Sequence, residues 1–183
     1  LETVPHKHTL DPEGQFQKQI TAFHRHPENN GLYLYDYQIM GFLKSTANTL
    51  KEILPKAPDR AGREMKGIKN ARVKINNFVS IFPRRILIAD EPDGILQRPL
   101  RAQTAQGPRV SLAASEYLEA PVDFDIYIGL IENKEVGWNT LHKIFKYGEV
   151  KIGIMQNRNS GYGRFVFEDK GEIDPEKENL PVL

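Results

Sequence analysis

Apolar positions recur at helical spacing in two stretches of this chain. In Tyr37–Leu54 (YQIMGFLKSTANTLKEIL), Ile39, Leu43, Ala47, Leu50 and Leu54 fall three or four apart, and Met40, Phe42 and Ile53 widen the stripe. Residues so spaced share one helix face, which is the face that packs. Asp36 is a good N-cap, since its carboxylate can accept from the unpaired amides of a first turn; Pro55 and Pro58 end the segment. The second stretch, about Val136–Tyr147, buries Trp138, Leu141, Ile144 and Phe145 on one side, and Gly148 fits its C-cap. Alternation marks strands instead. After Pro121, VDFDIYIGLI places Phe124, Ile126, Ile128 and Leu130 on one side. Arg72–Val79 and Arg85–Ala89, separated by Pro83, also read as strands, as do Arg109–Ala113, Arg164–Glu168 and a short piece within Gln15–Phe23 ahead of the polar turn His26–Gly31. Turn signals at Pro92–Gly94 and Gly107–Pro108 bracket the extended, polar Arg98–Gln106. Ala57–Lys69 reads as a basic loop, and the acidic run from Asp169 onward as a flexible tail.

Reduced to elements, the order is strand, helix, strands, then strand, helix, glycine loop, strand. A β-α-β-β-α-β order predicts an α+β fold with a ferredoxin-like (RRM-like) core, an antiparallel sheet carrying both helices on one face. Residues 1–168 then form one domain, with 57–114 as a long basic connection between its halves and 169–183 as the tail. Such a plan hosts many functions and does not fix one.

Charge changes the picture more than composition does. The 183 residues suit one domain and include no cysteine, which removes disulfides and thiolate zinc sites and suits a cytoplasmic protein. There is no run of eighteen apolar residues, and LETVPHKHTLDPEG lacks a signal-peptide pattern, so no membrane association is expected. The net charge of +1 hides an asymmetry. Residues 1–59 carry six Lys/Arg and seven Asp/Glu, residues 60–114 carry eleven and four, and residues 115–183 carry eight and thirteen. The middle block, with Arg60, Arg63, Arg72, Arg84, Arg85, Arg98, Arg101 and Arg109, is what a polyanion partner needs. A solvated loop surface with unfocused charge is the competing reading.

Lys151–Phe167 (KIGIMQNRNSGYGRFVF) sets Gly153, Gly161 and Gly163 around a polar segment that holds Arg158, then runs into an aromatic strand. Glycines there permit φ > 0 and close backbone approach, and the exposed amides with Arg158 suit a phosphate or sugar-phosphate backbone. A glycine-rich turn with no ligand is equally consistent with the spacing. Lys143, Lys146, Lys151, Arg158 and Arg164 cluster around the loop in sequence. Tyr162 could stack on a base or pack within the turn. Arg98, Arg101 and Arg109 could grip successive phosphates or pair with acids such as Asp123 and Asp125.

Two of these segments resemble the RAMP superfamily of CRISPR-associated proteins. The order strand (Val122–Ile131), helix, glycine loop, strand (Arg164–Glu168) is similar to that family's C-terminal half. The family's final loop has the form Gly-apolar-Gly, several residues with at least one basic, then Gly-x-Gly. Ile152–Gly153 and Gly161–Tyr162–Gly163 match it, Arg158 supplies the basic residue, and Lys151 stands in place of the first glycine. At the first helix, Tyr37–Lys44 (YQIMGFLK) is similar to the family's Ser-Ser-apolar-Lys-Gly-apolar-apolar-Arg run. Gly41, Phe42 and Leu43 align and Lys44 takes the Arg position, whereas Tyr37, Gln38 and Met40 replace its polar residues.

The resemblance implies a guide-RNA-binding subunit of a CRISPR-like ribonucleoprotein, serving antiviral defence, with the glycine loop near the RNA backbone. The long connection would be an insertion that touches RNA or a neighbouring subunit. On this reading the RNA site comprises Gly153, Arg158, Gly161, Tyr162, Gly163, Lys151, Arg164, Lys44, Arg98, Arg101 and Arg109. Partners would be RNA (or single-stranded DNA) and other subunits or copies of the chain; no cofactor or metal is expected. Some members of the superfamily cleave precursor guide RNA with a histidine. His24 and His26, i and i+2 on one strand face, are the candidates here, but no supporting partner or third metal ligand is spaced beside them. His142, beside Lys143, reads as a surface position. Asp59, Glu64, Asp90, Glu91 and Asp93 sit in loops, and nothing singles one out. Non-catalytic binding is therefore the expected function. A metal-independent endoribonuclease of the same fold is the first rival, and a structural or accessory protein of a phage or mobile element that lacks RNA binding is the second.

Overall fold

The stripe beginning at Ile39 folds as an 18-residue helix, α1 (Asp36–Ile53). The computed structural model describes residues 20–53, 70–105, 107–132, 136–178 and 180, without side chains for 51–53, 100–104 and 109–112. The expected loop over 57–69 and most of the strand within Gln15–Phe23 lie outside the described residues. Asp36 is the first helical residue, and its carboxylate accepts from the Tyr37 amide at 2.7 Å. Gln38 reaches back to accept from the Tyr35 amide at 2.8 Å, satisfying a donor ahead of the helix as a capping-box glutamine does. Ile39, Phe42, Leu43, Ala47 and Leu50 are all buried, as the stripe predicts.

Arg72–Val79 departs from its expected strand. Ala71–Phe78 is a helix, α2, and the strand, β4, comes after it at Val79–Phe82. Val73 and Ile75 alternate like strand residues, yet Val73 is 57% exposed while Ala71, Ile75 and Val79, four apart, are buried. Packing against α1 selects the helical period. β4 pairs antiparallel with β8 (Tyr127–Leu130), from Val79↔Leu130 to Phe82↔Tyr127. Of the strand expected after Pro121, only these four residues join a ladder, matching the four that β4 offers; residues 121–126 have no regular structure.

The second helix, α3, runs from Trp138 to Lys151, past its expected end. Gly148 is not its C-cap. It lies inside the helix at the crossing with α1, where a Cβ would run into the Phe42 ring. The C-cap is Ile152, followed by Gly153 in the left-handed conformation at φ 72°; the amides of Ile152 and Gly153 both donate to the Gly148 carbonyl, at 3.0 and 2.8 Å. Leu141, Ile144 and Phe145 are buried as expected, but Trp138 is 50% exposed. At the same crossing Thr46 is fully buried and its hydroxyl has no hydrogen-bond partner among the described residues. An unsatisfied buried hydroxyl is costly, so Thr46→Val, close in shape, is expected to stabilise the fold by about 1 kcal/mol in urea denaturation.

Arg164–Glu168, expected as the last strand, is extended but joins no ladder among the described residues. Its alternation survives. Phe165 meets Phe42 edge-on at 5.3 Å and Phe167 stacks on Phe145 at 4.3 Å, while Val166 is 79% exposed. Side chains of α3 take the place of a neighbouring strand: the Phe167 amide donates to Glu149 at 2.8 Å, and the Lys146 ammonium donates to the Phe167 carbonyl at 2.8 Å.

The protein is thus mixed α+β. Its contacts divide it into two compact units, one from Leu1–Leu34 and Leu87–Asp125, the other from Tyr35–Ile86 and Ile126–Leu183. The helices and the β4–β8 pair belong to the second unit. The first unit is built on β1 (Ile20–Thr21), β2 (His24–Arg25), most of β3 (Leu32–Tyr35) and of β5 (Arg85–Ala89), and a long hairpin, β6 (Gly94–Thr104) and β7 (Gly107–Tyr117). β1 runs parallel to β7 at Ile20↔Ala114 and Thr21↔Ser115, giving a β1-β7-β6 order; β2, β3 and β5 form another sheet. Glu116 ties the base of the hairpin to β2 and the residue before it, accepting from the Phe23 amide and the Arg25 guanidinium, both at 2.8 Å. Loss of both bonds in Glu116→Ala is expected to cost about 1–3 kcal/mol in urea denaturation. Among the described residues, no helix is long and apolar enough to cross a membrane.

Candidate nucleic-acid interface

The segment read as an extended polar stretch followed by a strand is one continuous hairpin. β6 and β7 pair over eleven positions, from Gly94↔Tyr117 to Thr104↔Gly107, which at ~3.4 Å per residue is about 37 Å of ribbon. The ribbon reverses between Thr104 and Gly107, and Gly107 leaves the turn at φ 104°. β1 braces the ribbon only at Ala114 and Ser115, so its outer part has no third strand among the described residues. From Gly94 to Ser115 the ribbon carries Arg98, Arg101 and Arg109 and no carboxylate. Paired residues share a face, and successive residues alternate between faces. With Arg98 opposite Ala113, Ala102 opposite Arg109 and Arg101 opposite Val110, positions 98 and 109 fall on one face and position 101 on the other. The cationic track expected along RPLRAQTAQGPR is therefore divided between two faces. Positions 98 and 109, four residues apart along the strand, are separated by ~13 Å.

In the second unit, the glycine loop follows α3. Gly153, Gly161 and Gly163 all have positive φ (72°, 88° and 70°), as do Met155 and Asn157. The Ile154 amide donates to the Gly163 carbonyl at 2.8 Å, closing the loop at its neck. A Cβ on Gly153 would stand 2.7 Å from the Gly163 oxygen, and one on Gly163 would run into the Ile154 carbonyl. Two of the three glycines therefore let the entering and leaving strands of the loop lie side by side. Gly161 has open space around it and closes a single 3-10 turn, Arg158–Ser160, donating to the Arg158 carbonyl at 3.0 Å. The loop presents Tyr162 at 45% exposure, with Arg158 half-buried and Lys151 and Arg164 exposed. No carboxylate occurs from Lys151 through Phe167. Lys146, grouped with these cations by sequence, instead holds the Phe167 carbonyl and pairs with Glu149 at 3.3 Å.

His24 and His26 both pack on Tyr33, the first stacked at 5.5 Å and the second edge-on at 6.2 Å. Among the described residues, no three His, Cys, Asp or Glu side chains are grouped to hold a metal ion. His142 lies 3.8 Å from Asp169 and edge-on to Phe167. Asp93 accepts from the Glu119 amide at 2.7 Å, while Asp90 and Glu91 are exposed; Asp59 and Glu64 lie outside the described residues.

Lys44 is in neither place. It points into a groove of about 500 Å³ between α1 and α2, where its ammonium donates to the Asn76 amide oxygen at 3.4 Å. Arg72, Asn76 and Asn77 line the same groove. Sequence reasoning missed it because it needs α2 to be a helix; the spacing of Ala71, Ile75 and Val79 was the available signal. The anticipated RNA-binding residues thus fall into two units, with Arg98, Arg101 and Arg109 in one, and Lys44, Lys151, Arg158, Tyr162 and Arg164 in the other. No family model, curated protein or solved structure matches the chain.

Proposed function

We propose that this chain is a non-catalytic, RAMP-type RNA-binding subunit of a CRISPR-like ribonucleoprotein, gripping the guide-RNA backbone. The observation that carries this reading is the β6–β7 ribbon, long and, among the described residues, braced only at its base, with three arginines and no carboxylate short of Glu116. A slender cationic ribbon suits a phosphate backbone, whose neutralisation supplies affinity without sequence readout. The carboxylate-free stretch from Lys151 to Phe167 offers a second contact, in which Lys151, Arg158 and Arg164 meet phosphates and Tyr162 stacks on a base. The core is ferredoxin-like on this account. β3, α1, β4, β8, α3 and Arg164–Glu168 supply the β-α-β-β-α-β order, with α2 added before β4, β5 and the ribbon added in sequence between β4 and β8, and β4 and β8 as antiparallel neighbours.

The test is to purify the chain from its expression host and identify any nucleic acid that accompanies it, by absorbance ratio, nuclease sensitivity and sequencing. RNA of defined length, reduced when Arg158 and Lys151 are changed to alanine, supports the reading. Protein that is free of nucleic acid and also ignores added RNA at low salt overturns it. Preference for single-stranded DNA over RNA overturns the guide-RNA assignment.

A further inference from the structure

The groove between α1 and α2 is not explained by the fold. From α1 it takes Gly41, Lys44 and Ser45, on the helix face opposite the buried stripe; from α2 it takes Arg72, Val73, Asn76 and Asn77, opposite Ala71 and Ile75. Of the described residues, two cations line it and no carboxylate does. Among the described residues, Arg72 makes no ion pair and Lys44 has only the Asn76 oxygen, at 3.4 Å. Like charges brought together without a counter-charge repel, so the groove is electrostatically suited to an anion.

Its floor carries a second signal. Gly41 sits inside α1, where glycine costs roughly 1 kcal/mol relative to alanine. Nothing among the described residues demands that concession, because a Cβ there would meet none of their atoms within 4 Å. The missing side chain leaves room above the helix surface. Beside it, Asn77 offers a carboxamide able to donate and accept, and Val73, 57% exposed, supplies an apolar wall. The groove is shallow and largely open to solvent, about 500 Å³ in volume.

We infer that this groove binds a nucleoside phosphate, with Lys44 and Arg72 on the phosphate, the base lying over Gly41 against Val73, and the Asn77 carboxamide on the base edge. The nucleotide can come from a bound strand or be free in solution, and the inference does not depend on the ribbon's function.

The test is calorimetric titration of the full chain with 5′-mononucleotides, inorganic phosphate and a single-stranded RNA, on wild type, Arg72→Glu, Asn77→Ala and Gly41→Phe. Gly41→Phe fills the groove where the backbone has space, so its melting temperature should stay at or above that of wild type. Mononucleotide binding to wild type is expected, weakened at least tenfold by Arg72→Glu and by Gly41→Phe. Asn77→Ala should weaken mononucleotide but not phosphate. No mononucleotide binding, binding that Gly41→Phe leaves unchanged, or phosphate binding as tight as that of the nucleotide would each overturn the inference. If RNA competes with the mononucleotide, the strand is the source; if Gly41→Phe loses only the mononucleotide, a free nucleotide is. Mononucleotide binding by a chain that ignores RNA would leave the groove standing while removing the ribonucleoprotein reading.

Discussion

Gly163→Ala is expected to destabilise the second unit by about 3–5 kcal/mol, an effect large enough to be diagnostic of a steric mechanism. Two costs combine. At φ 70° an L-residue pays ~1–2 kcal/mol for the left-handed conformation. The new Cβ also runs into the Ile154 carbonyl, which is backbone and already positioned by the bond from the Ile154 amide to the Gly163 oxygen at 2.8 Å. Relief requires opening the loop neck, which loosens the extended segment that seats Phe165 and Phe167 on the helices. Gly161→Ala is the control. Its φ of 88° is as unfavourable, but its Cβ would meet nothing within 4 Å, so only the conformational cost of ~1–2 kcal/mol remains. Urea denaturation of the pair separates strain from collision, and equal losses would show that the neck yields freely.

Reversing the charge of the ribbon should have the larger functional effect. In an Arg98→Glu/Arg101→Glu/Arg109→Glu variant, three cations become anions on an element that has no other charged residue short of Glu116. The positions lie on strands whose pairing is made by backbone, and on both faces of the ribbon, so folding should survive. RNA affinity is expected to fall by about two orders of magnitude or more, since each phosphate left without its arginine keeps its counterion and each glutamate adds repulsion. In the three single variants, equal losses would imply that the strand is held along the ribbon's edge; losses confined to positions 98 and 109 would put it across one face. Binding within a few-fold of wild type in filter-binding or anisotropy titrations would move the site off the ribbon.

The parts of this protein that a reader of the sequence can find are those whose signal is local. α1 was legible because five apolar positions keep its period over many turns. α2 was not, since eight residues hold barely two turns and Val73 with Ile75 imitates a strand. Gly107 and Pro108 announced the hairpin turn, yet the length of the ribbon stayed hidden behind Pro99, which reads as a break. Pro99 is tolerated because the β1-β7-β6 order leaves β6 at the sheet edge, where a missing amide need not break the ladder. The glycine loop was visible as composition. That Gly153 and Gly163 serve each other across its neck, and that Gly148 makes room for Phe42, are contacts between residues distant in sequence, with no local trace. The site divides the same way. The cations were identifiable one by one, whereas their distribution between two units, and the groove that unites Lys44 with Arg72, follow from packing.

The most direct test of RNA gripping through the ribbon is the salt dependence of single-stranded RNA affinity, measured for the wild-type chain and the triple arginine variant between about 50 and 200 mM salt. Wild type should bind with a steep log–log slope, and the variant's slope should be shallower by about 2, because three fewer phosphates are neutralised, at ~0.7 each on a single strand. Identical slopes, or a wild-type chain with no measurable affinity at the lowest salt, would contradict it.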